Sequence, residues 1–376
     1  MLNPFKYGEI VSGEDFLDRE EECRNIFRDL GNGLKCFLIS PRRYGKTSLI
    51  KKVIERLKRK GFLVSYVDLY GVASLEQMAV SLARACALSQ ETNLERIWKV
   101  IKDVIPRLRP VFTVEPNGGF AITVDVKERR EEIYNTLMRL YNLPYEVSKK
   151  MKKPYIVIYD EFQEILNLGG TVMEKQIRSA VQAQSGIGYL FSGSKKSLML
   201  EMTTLRERAF YKMGPLHFLG KMPSYYWYGF LKKRFQRASL KLNSEVINLI
   251  IEKAENVPYY VQYLAHEVWD LALSDKVVNA RKVNEAIESI CHKQGPLYAG
   301  WWDILTLPQK QLVQTISESG GRNIFSNDFL FRCKLNSAMV QKSVKLLLKK
   351  DILEKENGEY SFSDIWFKEW VKQVKG

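Results

Sequence analysis

The hydrophobic pattern divides the chain into three stretches. In the first, apolar runs of strand length alternate with longer segments of helical period. LKCFLI (34–39), FLVSYVDL (62–69), YIVIYDE (155–161) and IGYLFSGS (187–194) are the runs, and HFLGKM holds a fifth, shorter one. After the first run, LIKKVIERLKRK puts Leu49, Val53, Ile54 and Leu57 on one face, which predicts a helix. Further helices are predicted near 74–88, 93–105, 128–141 and, after Gly169-Gly170, 172–184. YNLPYEVSKKMKKP reads as a polar, basic connector. Strands separated by helices predict an α/β fold with a parallel sheet. Residues 107–128 interrupt it: RPVFTV and FAITVDV alternate in polarity around the turn-rich EPNGG, which predicts an inserted β-hairpin.

Past about residue 224 the strand signals stop. Helices fit 225–238, 244–255, 259–274 and 282–292, a small all-α segment. LPQKQLVQTISE, SNDFLFRCK and NSAMVQKSVKLLLKKD then read as three helices. ILEKENGEYSFSD reads as a two-stranded wing around Asn357-Gly358, closed by a helix in IWFKEWVKQV. The pattern predicts three domains: an α/β core over 1–222, a helical domain over 223–294 and a winged helix over 295–376.

The chain has 376 residues, of which 45% are hydrophobic and 27% charged, so wholesale disorder is excluded. It holds no apolar run of the ~18 residues that mark a membrane helix. MLNPFKYGEI lacks a basic-then-apolar signal, so a cytoplasmic protein is expected. The five cysteines (Cys23, Cys36, Cys86, Cys291, Cys333) form no pair with metal-ligand spacing and read as reduced thiols. Three histidines argue against a histidine-based metal site. A formal charge of +15 favours polyanionic partners, nucleotides or nucleic acid, although a solvated basic surface would give the same figure.

Ser40-Pro41-Arg42-Arg43-Tyr44-Gly45-Lys46-Thr47, between a predicted strand and a predicted helix, is a phosphate-binding loop with Ser40 in place of the first glycine. Backbone N–H groups of such a loop wrap phosphates, and the following helix adds its positive end. Gly45 permits close approach, Lys46 can neutralise the β- and γ-phosphates, and Thr47 can offer its hydroxyl to Mg²⁺. YIVIYDE supplies the acidic partner: Asp160 for the metal shell and Glu161 to polarise an attacking water. The other reading of this pair is an acidic N-cap for the following helix. Ser192 and Ser194 end the next strand, where a hydroxyl can bond the γ-phosphate. Arg206 and Arg208 follow, and Arg208 is a candidate arginine finger or else a surface arginine.

With these motifs the chain resembles the archaeal ATPase family of the AAA+/STAND branch of P-loop NTPases, akin in layout to the archaeal origin-recognition ATPases. Asn3-Pro4-Phe5 and Phe16-Leu17-Asp18-Arg19-Glu20-Glu21-Glu22 resemble its N-terminal box, with Asp18 in place of the usual glycine. The segments Pro41 to Leu49, with Ser48, Tyr159 to Gln163, Ser192-Gly193-Ser194 and Arg208-Ala209-Phe210-Tyr211 match later elements. Asn256-Val257-Pro258 resembles the Gly-x-Pro stretch of the family's helical lid, with Asn256 for the glycine. The resemblance implies a P-loop core with the hairpin insertion, a lid and a winged helix. It also implies that Arg19 lies near the base and Pro258 near the nucleotide, and that ATP and Mg²⁺ are bound.

In the winged helix, Val340, Val344, Leu347 and Leu348 share one face of a helix, and Ser337, Gln341, Lys342, Lys345 and Lys349 share another. The second set would suit a DNA groove. Residues 296–376 hold only 12 Lys and Arg against 9 Asp and Glu, and Glu354, Glu356 and Glu359 make the wing acidic. Trp301, Trp302, Trp366 and Trp370 are expected to be packing residues, not a base-stacking platform. Two functions therefore stand. One is an Mg²⁺-dependent ATPase associated with duplex DNA; the other is a slow nucleotide-gated switch that binds a protein. A homo-oligomer fits either.

Overall fold

The computed structural model describes residues 2–374 apart from 12, 18, 90–93, 105–108, 115–119, 126–129 and 357. Asp18, the hairpin link EPNGG and the wing residue Asn357 thus lie outside the described residues. The chain forms two compact units: Ile10–Lys221, and Met1–Glu9 together with Met222–Gly376. The N-terminal segment, expected with the core, belongs to the second unit.

The first unit runs α1 (Glu20–Gly31), β1 (Lys35–Ile39), α2 (Lys46–Arg59), β2 (Leu63–Asp68), α3 (Leu75–Ala87), α4 (Leu94–Val104), β3 (Arg109–Val114) and β4 (Phe120–Asp125). It continues with α5 (Arg130–Met151), β5 (Tyr155–Asp160), α6 (Ile165–Gln182), β6 (Gly188–Gly193), α7 (Lys196–Thr204) and β7 (Leu216–Phe218). Five strands form one parallel sheet in the order β2-β5-β6-β1-β7. Its centre is buried on both faces, as parallel sheets with helical crossovers are: every residue of β5 and β6 is buried. β3 and β4 pair antiparallel as a separate hairpin.

Three elements depart from the hydrophobic pattern. The basic connector is helix: α5 runs through Pro144 to Met151. Its apolar residues Leu137, Leu140, Tyr141, Leu143 and Val147 are all buried, and that burial outweighs one missing backbone donor. α6 starts at Ile165, earlier than expected, and Gly170 breaks it with a left-handed φ of 57°. The Gly-Gly signal thus marks a kink between helical pieces. α1 was hidden by its charge, although Cys23, Ile26 and Leu30 recur at helical spacing and are buried.

The second unit holds α8 (Ser224–Arg237), α9 (Ser244–Lys253), α10 (Pro258–Ala272), α11 (Ala280–Lys293) and α12 (Gly295–Asp303). After these come α13 (Leu307–Ser319), α14 (Asn327–Cys333), α15 (Ser337–Lys349), β8 (Leu353–Glu356), β9 (Glu359–Phe362) and α16 (Ile365–Gln373). Side chains of Asn243, Asn279, Ser326, Asn336 and Asp364 cap the starts of five of these helices. α12, written GPLYAGWWD, was not foreseen, because its Gly, Pro and aromatics carry no clear period.

The winged helix is joined to the preceding helices by direct packing. Tyr260 of α10 donates its hydroxyl to Ser363 O at 3.1 Å and meets Trp366 edge-on at 5.8 Å. Cys291 of α11 lies against the Trp366 carbonyl at 3.7 Å. Trp301, Trp302 and Trp370 pack among Tyr298 and Phe367, so the tryptophans are packing residues as expected. The N-terminal segment straps the same unit. Phe5 sits 4.8 Å from Phe235, Tyr7 stacks on Tyr263 at 4.2 Å, and Asn3 donates to His266 O at 3.0 Å.

Trp366 is fully buried at this junction. Trp366→Ala is expected to cost the second unit about 3–5 kcal/mol. Chemical denaturation followed by the remaining tryptophan fluorescence measures it.

Candidate nucleotide site

β1 delivers the loop and α2 receives it. Ser40 is buried just past β1, with its N–H on Gly193 O at 3.2 Å and its hydroxyl on Pro41 O at 3.0 Å. Arg43 (φ 73°) and Gly45 (φ 83°) both take the left-handed conformation. That conformation costs a non-glycine residue such as Arg43 about 1–2 kcal/mol. Alternating backbone of this kind turns successive N–H groups toward one point, an anion nest. Arg42 is exposed, Tyr44 is buried, and Pro41, Arg43 and Thr47 are half-buried. Ser48, buried in the first turn of α2, accepts the N–H of Val11 at 3.2 Å.

The sheet order decides what faces this loop. β6 lies between β1 and β5, so the acidic strand end is one strand removed, and the end of β6 stands between them. α2 begins with Lys46 and has no acidic residue in its first turn. A cation at a helix N-terminus is unfavourable on its own and needs an anion nearby. Two carboxylates supply it: the Lys46 ammonium is buried between Asp160 Oδ1 and Glu161 Oε1, the latter at 2.6 Å.

Each carboxylate is held in turn. Tyr66, on β2, donates its hydroxyl to Asp160 Oδ2 at 3.0 Å, and the Glu161 N–H donates to Asp160 Oδ1 at 3.0 Å. Ser194 Oγ and Gln163 Nε2 both donate to Glu161 Oε2 at 2.6 Å. Burial acts to raise the Glu161 carboxyl, but the charge and hydrogen bond of Lys46, with those of Ser194 and Gln163, hold it below its ordinary value. Burial and the Asp160 charge push the Tyr66 hydroxyl well above the usual tyrosine range, so it stays a donor. Ser192, opposite Leu38 of β1, is fully buried, and its Oγ has no hydrogen-bond partner among the described residues. A Cβ on Gly193 would collide with Gln163 and Met199, so the absence of a side chain there makes room for the residue that steadies Glu161.

Lys46, Asp160, Glu161 and Ser194 therefore form one connected group, with Ser40 and Ser192 bordering it on β1 and β6. Tyr66 and Gln163 are members that the sequence reading did not assign a role. Tyr66 carries no motif; its one signal is its place two residues before Asp68 on a strand that pairs with β5. Arg208 does not join the group. Its guanidinium is held by Glu174, with one contact at 3.1 Å, and by Glu201. Glu174 is fully buried, so Arg208 neutralises an interior carboxylate, a different task from that of an arginine finger. Arg206 is exposed. Arg19, buried and left-handed at the start of α1, donates to Gly220 O at 2.5 Å and Glu22 at 2.8 Å. Pro258 is the first residue of α10, in the second unit.

A family model described as "ATPase domain predominantly from Archaea" matches residues 16–222. The chain belongs to this family of archaeal ATPase domains. A second model, "Probable winged helix domain", matches residues 296–373. Among solved structures, the fold is similar to the Walker-type ATPase PABY2304 of Pyrococcus abyssi, at 17% identity and a TM-score of 0.65, covering 96% of this chain and 97% of that one. It is also similar to the Aeropyrum pernix ORC2 protein, at 14% identity and a TM-score of 0.54, covering 98% of each. Both likenesses are of fold. No curated protein matches the sequence. Among the described residues, no helix is long and apolar enough to cross a membrane.

Lys46→Met would leave the buried Asp160 carboxylate and the half-buried Glu161 carboxylate without the cation they share. The nucleotide-free α/β unit is expected to lose about 3 kcal/mol at pH 7. The folded pKa of Glu161 is depressed, so the stabilisation is full above the ordinary Glu value of about 4.3 and is lost as pH falls through the lower, folded one. Urea titrations from pH 7 to pH 3 should therefore show the gap between wild type and variant closing only at the acid end.

Proposed function

We propose that this member of the archaeal ATPase family binds and hydrolyses ATP in the Lys46–Asp160–Glu161 group, and that its winged helix associates with duplex DNA. The observation that carries the ATPase reading is the shared hold of Asp160 and Glu161 on the Lys46 ammonium at the mouth of the phosphate loop. Nucleotide phosphates would replace these carboxylates as partners of Lys46. The loop N–H groups from Ser40 to Thr47 would wrap them, with the N-terminus of α2 adding positive potential. Freed from Lys46, Glu161 remains anchored at Oε2 by Ser194 and Gln163, with Oε1 available to accept a proton from water. Ser192 would offer its unspent hydroxyl to the γ-phosphate.

The donors fit a hard divalent cation, because Thr47 and Asp160 present only oxygen, and the two carboxylates exceed Lys46 by one negative charge. Mg²⁺ held there would offset charge on the phosphoryl oxygens. Arg19 and Pro258 are the residues by which we infer contact with the base side of the nucleotide. Helices α8 to α11 would serve as the lid. Because the winged helix packs directly on α10 and α11, lid and winged helix would respond to nucleotide as one body.

The DNA reading rests on α15. Ser337, Gln341, Lys342, Lys345 and Lys349 are all exposed along it, while Val340, Val344 and Leu347 are buried beneath. A second reading, a nucleotide-gated switch with a protein partner, is favoured by the acidic wing and by Phe331, which is 85% exposed on α14. A cytoplasmic location and a homo-oligomeric assembly are consistent with either.

Two outcomes are expected. Glu161→Gln should bind Mg·ATP as wild type does and lose turnover by about 10²-fold or more in a phosphate-release assay. Wild-type turnover in this variant would remove Glu161 as the base. Duplex affinity should fall steeply with salt, and replacing Lys342, Lys345 and Lys349 by Ala should lower the slope of log K against log salt by about one per lysine. No duplex binding at low salt, with ATP binding intact, would favour the protein partner.

A further inference from the structure

A second cluster of chemistry-bearing side chains lies in the α/β unit and takes no part in the group around Lys46. Cys36 and Leu38 on β1 point to the same sheet face, because strand side chains alternate. His217 on β7 is the register partner of Leu38, so it projects from that face one strand over. α1 packs against β1 and brings Asp29 to the same place. The thiol of Cys36, the carboxylate of Asp29 and the ring of His217 have their donor atoms within 4.8 Å of one another. Cys36 and Asp29 are buried, and His217 is largely so.

Two details separate this cluster from an ordinary buried ion pair. His217 Nε2 lies 3.2 Å from Asp29 Oδ2, yet it is buried and makes no properly directed hydrogen bond. Two ligands held about 2.0–2.1 Å from a tetrahedral ion stand about 3.3–3.4 Å apart, which is nearly this spacing. The other Asp29 oxygen, Oδ1, is occupied by Arg28 Nε at 3.0 Å, so Oδ2 is the one left to face inward. One nitrogen, one sulfur and one carboxylate oxygen form a mixed donor set that suits zinc better than magnesium or calcium.

We propose that Asp29, Cys36 and His217 form a site for a zinc-class divalent cation that clasps α1, β1 and β7 together. The mechanical consequence falls on β7, a three-residue edge strand that, among the described residues, pairs with β1 alone. Binding takes the proton from the Cys36 thiol, so one proton is released to solvent for each ion taken up. The sequence argues against a histidine-based site because it holds only three histidines, and the spacing 29, 36 and 217 follows no local ligand motif that would counter this.

The test is made on the full-length chain with Zn²⁺ and Co²⁺ as probes. Wild type should take one Zn²⁺ per chain from a chromophoric chelator and melt at a higher temperature for it, by about 3 °C or more. The Co²⁺ adduct should absorb in the near ultraviolet through thiolate-to-metal charge transfer, which the oxygen donors around Asp160 cannot produce. Cys36→Ser should abolish that band, and Asp29→Asn and His217→Ala should each weaken Zn²⁺ binding at least tenfold, while Cys333→Ser changes nothing. Zinc uptake with no thiolate band, or a band that survives Cys36→Ser, would overturn the proposal. Should the variants fail to fold, X-ray absorption of the wild-type zinc adduct decides. One sulfur in the first shell supports the site, and a shell of nitrogen and oxygen alone refutes it.

Discussion

A lysine buried at the start of a helix must be given negative charge, and in this protein the ends of β2, β5 and β6 gather around the start of α2 to supply and hold it. Lys46 sits where the N-terminal dipole of α2 already disfavours a cation. Taking an ammonium and two carboxylates out of water costs several kcal/mol per ion, which their attraction offsets only if every remaining lone pair is satisfied. The ends of the neighbouring strands supply further donors to both carboxylates. β5 presents Asp160 and Glu161, β2 adds the Tyr66 hydroxyl from one side, and β6 adds Ser194 from the other. Gly193 makes room for Gln163, which supplies the last donor to Glu161. Lys46 is thus paired with the two carboxylates whose place we propose nucleotide phosphates take.

The second unit answers a different constraint. Its winged helix and the helices before it share a core around Trp366, Tyr260 and Cys291, and the N-terminal segment is pinned to the same body through Phe5 and Tyr7. α10 and α11 meet α16 and Ser363 ahead of it, and α13 packs against both α16 and α15, so packed side chains link α10 to α15. The exposed lysines of α15 and the acidic wing lie on this one body.

The fold was legible wherever hydrophobic period and length agreed. All five sheet strands, the hairpin strands and the helices from α8 to α11 follow the pattern closely. The misreadings have physical causes. In α5 tertiary burial overrides Pro144 and a run of lysines; α1 hides its apolar stripe beneath a charged surface; α12 lacks a period. At the candidate site, Lys46, Asp160, Glu161 and Ser194 were legible because chemistry constrains them to fixed positions in a motif. Tyr66 was not, because a single hydroxyl reaching across from a neighbouring strand leaves no spacing to read. Arg208 shows the reverse error: a well-placed arginine in the sequence is spent on the interior Glu174.

The central claim is that Asp160 and the phosphates of a nucleotide compete for one ammonium. Calorimetric titration of Asp160→Asn and wild type with ATP in the absence of divalent metal isolates that competition, since no metal site then contributes. The account predicts tighter metal-free ATP binding to Asp160→Asn, because the Lys46 cation is released from one of its two anionic rivals. Equal or weaker binding would contradict it, and would mean that Lys46 is not the group for which carboxylate and phosphate compete.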